Sequence, residues 1–507
     1  MKRFVAFLAF IPIVPIICVV ALVFWVYRIV LSWFLQCKHG DSFVGMLEGQ
    51  DAMWGLEEDK NCGVVNIVAF VENSVVNGVE DLPQKLRKVF VNRFEKLIST
   101  KMHQFQKAFL KRNRAFGYFY WTNDLGINLS DHIRLLEPKS SKTYLSETEL
   151  QKLASWITTA NLPVKHGALW EMLISAKPML NEHGTVHKFP IFLRFHHSMG
   201  DGVAMLRFIM EEIMNPTEMW TFSPKAQEKP KLIKTILIWL KAIYECPLQL
   251  IRTLQMKSDP NCLNGKVLTP NKVVTWQNEK SISTTCHWLP LIEKIQTNQL
   301  GVAYSSVFIT ALSGTLHKYF DARGEHPKQV TIAIPVRIKH QEPMLKLENA
   351  FTTPMVQLPI KPGVHLDDTG RHHKLINKLA AIKQATETLK SSTNILVNYL
   401  TVIILAATFP VPILEYLSKM FRITASVSVM AVLKETLKVG PYELKDLIFW
   451  PPTFGTVGLN FSVFVYGNQL QLSLLADRNV LPAVDDATEL LQEVLREIER
   501  MDAVMGK

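Results

Sequence analysis

The segment of residues 189–214 constrains the fold most strongly, because its pattern changes from that of a strand to that of a helix across one short loop. Residues 189–195, with the sequence FPIFLRF, are nearly all apolar, which is typical of a buried strand. The loop HHSMGDG follows at residues 196–202, and residues 203–214 have helical periodicity. A strand, a polar loop and a helix in this order predict an α/β fold.

The loop itself has the pattern HHxxxDG, which arises by chance in a chain of this length with odds below roughly one in a thousand. An imidazole can take up a proton near neutral pH, and a loop fixed by a carboxylate can aim one ring nitrogen at a substrate hydroxyl. Adjacent residues on extended backbone point to opposite sides, so one histidine is the expected base and the other packs or orients its neighbour. The alternative is a structural pair of histidines that caps the strand end.

Other catalytic patterns are missing from the sequence. It contains no GxSxG nucleophile elbow, no GxxxxGK[ST] phosphate loop, no GxGxxG fingerprint and no HExxH metal helix. The six cysteines are too sparse for a disulfide scaffold, and none has the CxxC spacing of a zinc or redox site. We therefore expect neither a metal nor a bound cofactor.

Composition favours a globular protein attached to a membrane. Of the 507 residues, 48% are hydrophobic and only 20% are charged, which is more apolar than a typical soluble enzyme but far from a polytopic membrane protein. The net charge of +11 suits a phospholipid surface, a phosphorylated cofactor or nucleic acid. Because the basic residues are spread along the chain rather than clustered among stacking aromatics, nucleic acid is the least favoured of these partners.

The amino-terminal residues 1–40 are expected to form a transmembrane anchor. Residues 4–27 carry no charge, and 24 residues of helix measure about 36 Å, enough to span a bilayer. This apolar run is longer than that of a cleavable signal, and no clear small-x-small cleavage site follows, so we favour a retained anchor over a cleaved signal. The charges on its two flanks are nearly balanced and leave its orientation open.

The remaining chain divides into two α/β domains, residues 51–215 and 273–507, separated by a crossover segment of residues 216–272. Within that segment, residues 231–252 form an apolar helical pattern that is either an interfacial helix on the membrane or a crossover helix between the domains. Residues 391–414 are a second uncharged run. Their polar residues and prolines favour a buried or membrane-dipping helix over a second span.

Periodicity also predicts the main elements of both domains. In the first domain we expect strands at 64–70 and 189–195 and helices at 82–98 and 203–214. In the second domain we expect helices at 304–320 and 487–503, strands at 329–335 and 355–359, and a hairpin at 457–476 that turns at 467–468.

The HHxxxDG loop and its surroundings resemble the wax ester synthase/diacylglycerol acyltransferase family, within the superfamily of chloramphenicol-acetyltransferase-like, CoA-dependent acyltransferases. The likeness extends over residues 51–501. Further segments that resemble family motifs are Trp121 with DHIR at 131–134, LWE at 169–171, IPVR at 334–337 and the hairpin at 455–477. The chain departs from the family at Ser305-Ser306 and at Glu348-Asn349, where relatives have Asn-Asp and Gly-Asn, and it lacks the NVPGP stretch near 426–432.

The resemblance implies two chloramphenicol-acetyltransferase-like mixed-sheet domains that form a pseudo-dimer with a tunnel at their junction. His197 would be the general base, and His196 would position it. Asp201 would hold the loop by pairing with Arg337, or alternatively with Arg194, and Gly202 would permit close backbone approach at the strand-to-helix turn.

The same resemblance implies an O-acyltransferase that transfers a long-chain acyl group from acyl-CoA, as co-substrate, to a fatty alcohol or a diacylglycerol. The supply of CoA favours the endoplasmic reticulum membrane. His196 and Asp201 also fit the HxxxxD pattern of glycerolipid acyltransferases, but their FPEG-like partner element is absent. A non-catalytic lipid-binding or lipid-transfer relative is the remaining alternative, and the intact His197 and Asp201 argue against it.

Overall fold

The computed structural model describes residues 4, 7–8, 10–56, 62–73, 81–123, 127–140, 142–163, 168–180, 187–216, 232–256, 260–278, 288–298, 302–338, 344–360, 371–391, 393–420, 422–433 and 435–505. Residues 217–231 and 257–259 of the expected crossover segment lie outside this part of the chain. The described residues form a mixed α/β structure, as the sequence pattern predicts.

The α-helices are numbered in chain order. They are α1 Ile13–His39, α2 Gly49–Trp54, α3 Leu82–Lys101, α4 Leu129–His132, α5 Glu147–Thr159, α6 Gly202–Phe208, α7 Leu232–Gln255, α8 Trp288–Asn298, α9 Tyr304–Asp321, α10 Arg371–Ser391, α11 Thr393–Thr408, α12 Val411–Ser418 and α13 Val484–Met505. A π-helical turn, Ile209–Ile213, continues α6.

The strands are numbered in the same way. They are β1 Phe43–Met46, β2 Val64–Asn73, β3 Leu110–Ala115, β4 Tyr118–Asn123, β5 Ile133–Leu136, β6 Trp170–Ser175, β7 Met179–Leu180, β8 His187–His196, β9 Asn215–Pro216, β10 Lys272–Asn278, β11 Gln329–Ala333, β12 Val336–Arg337, β13 Phe351–Thr352, β14 Met355–Pro359, β15 Ala425–Leu433, β16 Leu437–Val439, β17 Tyr442–Trp450, β18 Leu459–Tyr466 and β19 Gln469–Asp477.

The first domain is built on an eight-stranded sheet with the order β5-β6-β8-β2-β17-β16-β9, in which β7 also pairs with β8. Strands β2 and β8 are antiparallel, with Val64 opposite His196, so the motif loop leaves the sheet beside the start of β2. Strands β16 and β17 come from the second half of the chain, and β17 pairs with β2. The chain therefore returns to complete the sheet of the first domain.

The second domain has a six-stranded sheet with the order β10-β19-β18-β15-β11-β14. Helices α8, α9 and α13 pack together beside it and bury the apolar side chains of α13. An apolar cluster between the two sheets joins the domains. It contains Phe192 and Trp450 of the first sheet and Trp276 and Leu475 of the second. Burial of each large apolar side chain contributes about 1.5–3 kcal/mol, so this cluster fixes the domains against each other.

The amino-terminal helix α1 is mostly exposed. It has the length and the apolar composition needed to cross a membrane, with a mean hydropathy of 2.5 over its most apolar window, and none of that window is buried. Its carboxyl-terminal part packs on the hairpin of β3 and β4 through ring contacts such as Phe34 with Phe116.

The expected elements are present, with bounds that differ by a few residues. The helix expected at 203–214 begins at Gly202, because Asp201 caps it by accepting a hydrogen bond from the Ala204 N–H. The uncharged run 391–414 does not form one continuous helix. Pro410 has an extended backbone and separates α11 from α12. The 16 residues of α11 measure about 24 Å, so a second complete span is excluded.

Candidate active site

The HHxxxDG loop is held by backbone hydrogen bonds to two distant segments. The His197 N–H donates to the Gly63 carbonyl at 2.8 Å, and the Asp201 N–H donates to the Glu348 carbonyl at 3.0 Å. Gly63 has φ +63°, and a Cβ there would lie only 2.6 Å from Nε2 of His196. A glycine is therefore required beside the strand end, both by its backbone conformation and by the space available.

The imidazole of His197 is nearly buried, with 7% of the residue exposed. The indole of Trp54, at the end of α2, stacks on it with 4.0 Å between ring centroids and 9° between ring planes. Phe351 of β13 packs against the same imidazole at 5.4 Å. The two aromatic neighbours come from different halves of the chain, so this environment exists only in the folded protein.

The amide of Asn349 fixes the orientation of the His197 ring. Its Nδ2 donates to the carboxylate of Asp51 at 2.9 Å and to the His197 carbonyl at 2.7 Å. Both partners are acceptors, which identifies the remaining amide atom, 3.1 Å from Nδ1 of His197, as the oxygen. Nδ1 must therefore carry the proton and donate, and the lone pair of the neutral ring lies on Nε2. That lone pair is the one a general base uses.

Asp51 is anchored in turn by the ammonium group of Lys107, with which it forms an ion pair. Burial raises the pKa of the Asp51 carboxyl, while Lys107 and the Asn349 amide act in the opposite direction. Lys107, Asp51 and Asn349 thus form a hydrogen-bonded chain that ends at His197. Such outer partners set the tautomer and direction of a reactive imidazole.

Burial also keeps His197 neutral. It lowers the pKa of the imidazole from 6.5 to about 4, because the charged form loses hydration; the Asp201 charge and the Asn349 amide oppose this shift. The ring is therefore unprotonated near pH 7 and can accept a proton there.

Asp201 joins the loop to the second domain. Its carboxylate accepts two hydrogen bonds from one guanidinium nitrogen of Arg337, at 2.9 and 3.0 Å, and a third from the Ala350 N–H at 3.0 Å. Arg194, the alternative partner, is instead paired with Glu171 and also donates to Asn66 Oδ1 at 3.0 Å. Of the two arginines considered from the sequence, it is Arg337 that pairs with Asp201.

His196 points to the other side of the strand end. Its Nδ1 lies 2.7 Å from Ser198 Oγ and accepts from the Ser198 N–H at 3.1 Å, and Arg112 approaches its Nε2 to 2.9 Å. All of these partners belong to the first domain. His196 therefore contributes to the loop's shape, while His197 is the histidine at the domain junction.

Gly202 starts α6 close to the second domain. A Cβ at this position would meet Sδ of Met430, in β15, at 3.2 Å. The close approach expected at this turn is therefore one between the loop and β15 of the other sheet.

Three residues of the site carry no motif that sequence reasoning used. Asp51 and Trp54 lie in the short helix after the amino-terminal helix, and Phe351 lies in a two-residue strand. Asn349 does have a signal, because it stands where relatives have the Asn of Gly-Asn. Among the described residues, no group of three or more His, Cys, Asp or Glu side chains is placed to hold a metal ion.

The family model described as "WS/DGAT C-terminal domain" matches residues 348–499. This segment includes Asn349, Phe351 and the strands β15 to β19. The carboxyl-terminal part of the chain is therefore similar to the WS/DGAT C-terminal domain. The resemblance to the wax ester synthase/diacylglycerol acyltransferase family is thereby confirmed.

Solved structures support the same fold over about nine-tenths of this chain. The wax ester synthase/diacylglycerol acyltransferase of Marinobacter aquaeolei VT8 superposes with a TM-score of 0.59 at 18% identity, over 90% of this chain and 99% of that one. The trichothecene 15-O-acetyltransferase of Fusarium sporotrichioides gives 0.61 at 12% identity, over 90% and 94%. The starter condensation domain of rhizomide synthetase, in complex with C8-CoA and Leu-SNAC, gives 0.54 at 12%, over 92% and 97%.

These likenesses confirm the expected two-domain, chloramphenicol-acetyltransferase-like fold. A sequence comparison with curated proteins gives no significant match. Together with the WS/DGAT C-terminal domain, the fold supports the expected enzyme class, an acyl-CoA-dependent acyltransferase.

Proposed function

We propose that the protein is a membrane-anchored O-acyltransferase that transfers a long-chain acyl group from acyl-CoA to a fatty alcohol or a diacylglycerol. The observation that carries this proposal is the tautomer of His197, whose Nδ1 proton is held by Asn349 so that Nε2 is the basic atom. The WS/DGAT C-terminal domain, which supplies Asn349, gives the acyl-CoA class of donor.

In this mechanism Nε2 of His197 removes the proton from the acceptor hydroxyl as the oxygen attacks the thioester carbonyl. The carbon–sulfur bond then breaks, the CoA thiolate leaves, and it takes the proton from the imidazolium. No acyl-enzyme is required, because the thioester is already activated and both substrates can be held together. The Nε2 lone pair lies in the ring plane, so the indole of Trp54, which covers a ring face, does not occupy its direction.

The buried carboxylate of Asp201 has a positioning role. It does not contact the His197 ring through a hydrogen bond; it holds the loop to Arg337 and to the backbone of Ala350. Its negative charge also favours the imidazolium that forms during the reaction.

Helix α1 serves as the retained membrane anchor in this proposal, since its exposed apolar surface is long enough to span a bilayer. Fatty alcohols and diacylglycerols dissolve in membranes, so an anchored enzyme meets them at high local concentration. The expected location is the cytosolic side of the endoplasmic reticulum, where long-chain acyl-CoA is supplied. The net charge of +11 suits both CoA phosphates and an anionic membrane surface.

The experiment is an ester-synthesis assay on membranes that contain the full chain. Long-chain acyl-CoA is supplied with a fatty alcohol, a diacylglycerol or a sterol, and the lipid products are identified by mass spectrometry. We expect ester from the wild type and from the exposed control variant His103→Ala, and none from His197→Ala. Equal ester formation by His197→Ala, at matched expression, would remove His197 from the mechanism. Acyl-CoA binding without ester from the wild type would point to a lipid-binding protein.

A further inference from the structure

Three apolar helices lie together in the structure, although they are far apart in the sequence. Helix α11 packs against α1, α7 and α2. Phe7, which precedes α1, contacts Tyr244 of α7 with 5.4 Å between ring centroids. Phe24 of α1 contacts Phe409, just after α11, at the same distance.

The polar and apolar residues of α7 are distributed as in a helix of a membrane protein, with the apolar side chains facing outward. Its face toward the protein includes Ala242 and the buried carboxylate of Glu245, to which Thr393 of α11 donates a hydrogen bond. Its exposed face is apolar: Leu237, Leu240 and Ile243 are each about 60% exposed, at 60%, 58% and 60%. A helix in water would turn these residues inward, since exposed apolar patches of this kind mark contact with a partner or a membrane.

The ring contacts set the depth of these helices relative to the bilayer. Phe7 and Phe24 both belong to the uncharged run 4–27, which is the part of the anchor that would lie in the hydrocarbon. Tyr244 contacts Phe7 and Phe409 contacts Phe24, so each lies at the same depth in the bilayer as the anchor residue that it contacts. The exposed cations Lys241 and Arg252 of α7 have long side chains that can reach the headgroup phosphates.

We propose that α7 and α11 are embedded in the bilayer beside α1, so that the three helices form one membrane-embedded surface. The partner of this surface is the lipid bilayer itself. The inference rests on the proposed anchoring by α1 and extends it. Of the two sequence-based alternatives for residues 231–252, an interfacial helix on the membrane and a crossover helix between the domains, it favours the first and places the helix deeper.

The surface is linked to His197 through two elements that contact it. Helix α11 packs against both α2 and β13, the elements that carry Trp54 and Phe351, the two aromatic neighbours of His197. The approach of α11 to α2 is close: a Cβ at Gly49 would lie 3.4 Å from Cγ1 of Ile403. In this proposal, an acceptor dissolved in the bilayer approaches the site from the side of α11.

The experiment is photo-crosslinking of the full chain, reconstituted in phosphatidylcholine vesicles. The photoreactive residue p-benzoylphenylalanine replaces Leu240 of α7, Val19 of α1 or Trp156 of α5, one at a time. Their exposed fractions are nearly the same, at 58%, 61% and 59%, so accessibility does not distinguish them. After irradiation, mass spectrometry measures the fraction of protein that carries one covalently bound phospholipid.

We expect phospholipid adducts at positions 240 and 19, each about tenfold or more above position 156, because only a side chain in the bilayer faces acyl chains. Adducts at 19 without adducts at 240 would overturn the embedding of α7 and leave the anchor intact. Absence of adducts at both positions would overturn the embedding together with the proposed anchoring. Adducts at all three positions in equal amounts would also refute it, since labelling would then not depend on depth.

A charge substitution provides a second readout that does not depend on the photoprobe. In Leu240→Glu, a carboxylate replaces an apolar side chain of the embedded face; Trp156→Glu is the matched control at an exposed position of α5, outside that face. We expect Leu240→Glu to lower ester formation from a long-chain alcohol in vesicles about tenfold while a water-soluble short-chain alcohol reacts as in the wild type. Equal rates for both variants with the long-chain alcohol would count against the embedded face.

Discussion

The surroundings of His196 and of His197 differ more than their adjacency suggests. His196 contacts Ser198 and Arg112, which belong to the loop and to the first domain. His197 meets Trp54, Asn349 and Phe351, which come from α2 and from the second half of the chain. Because the strand end turns successive side chains to opposite sides, one imidazole supports a domain and the other lies at the junction between domains.

The comparison shows that Nε2 of His197 is basic because of contacts that form when the two domains pack together. The first domain provides the imidazole, but its tautomer depends on Asn349, and its neutrality depends on burial under Trp54 and Phe351. Each of the following predictions separates the two histidines or tests one contact that makes them different.

Replacement of each histidine by asparagine has the largest expected contrast. His197→Asn keeps a polar group near the Nδ1 position but removes Nε2, so we expect kcat to fall about 10²- to 10⁴-fold. His196→Asn removes contacts to Ser198 and Arg112 but no reacting atom, so kcat should stay within about tenfold of the wild type while thermal stability falls. Steady-state kinetics and thermal unfolding of both variants measure this. If the two variants lost kcat equally, the assignment of different roles would be wrong.

Asn349 tests whether the second domain sets the tautomer of His197. Asn349→Ala removes the acceptor of the Nδ1 proton and leaves Asp51 without its amide donor, so we expect kcat to fall about 10- to 100-fold. Asn349→Gln, which retains the amide on a longer side chain, should recover part of the loss. A KM change without a kcat change in Asn349→Ala would contradict a positioning role.

The pair of Asp201 and Arg337 tests the attachment of the loop to the second domain. Asp201→Asn weakens two hydrogen bonds from a partly exposed guanidinium and one from the Ala350 N–H, so we expect the free energy of unfolding to fall by about 1–3 kcal/mol. The control is Asp81→Asn, in an exposed pair with Lys85, where solvent screens the charges and no measurable loss is expected. Similar losses in both variants, measured by denaturant unfolding, would show that the pair of Asp201 and Arg337 stabilises the fold no more than a surface pair does.

The pH dependence of kcat/KM tests the burial of His197. The change expected near neutral pH is the smallest of these effects. The base must be neutral, and its pKa is lowered from 6.5 to about 4, so kcat/KM should stay level as pH falls past 6.5 and decline only as it approaches 4. Trp54→Leu admits water to the ring face, which raises the pKa, so the decline should begin at a higher pH. A wild-type decline centred near 6.5 would contradict the buried environment.

Much of the fold followed from the sequence because periodicity and turn residues act locally. A nearly continuous apolar run predicted β8, and the Gly467-Asn468 turn predicted the closing hairpin of β18 and β19, where Asn468 has φ +61°. The exchange of β17 into the first sheet was not predictable in this way, because strand pairing joins residues such as Leu447 and Ala69 that are far apart in the chain.

In the candidate site, too, some features depend on neighbouring residues and others on contacts between distant ones. The sequence by itself determined the strand, the loop and the helix around His197 and Asp201, since these depend on neighbouring residues, and it reduced the partner of Asp201 to two arginines. Only the tertiary structure decided that Arg337 is that partner, that Trp54 covers the imidazole and that Asp51 and Asn349 direct its proton. Those contacts depend on distances across folded elements, and no spacing along the chain encodes them.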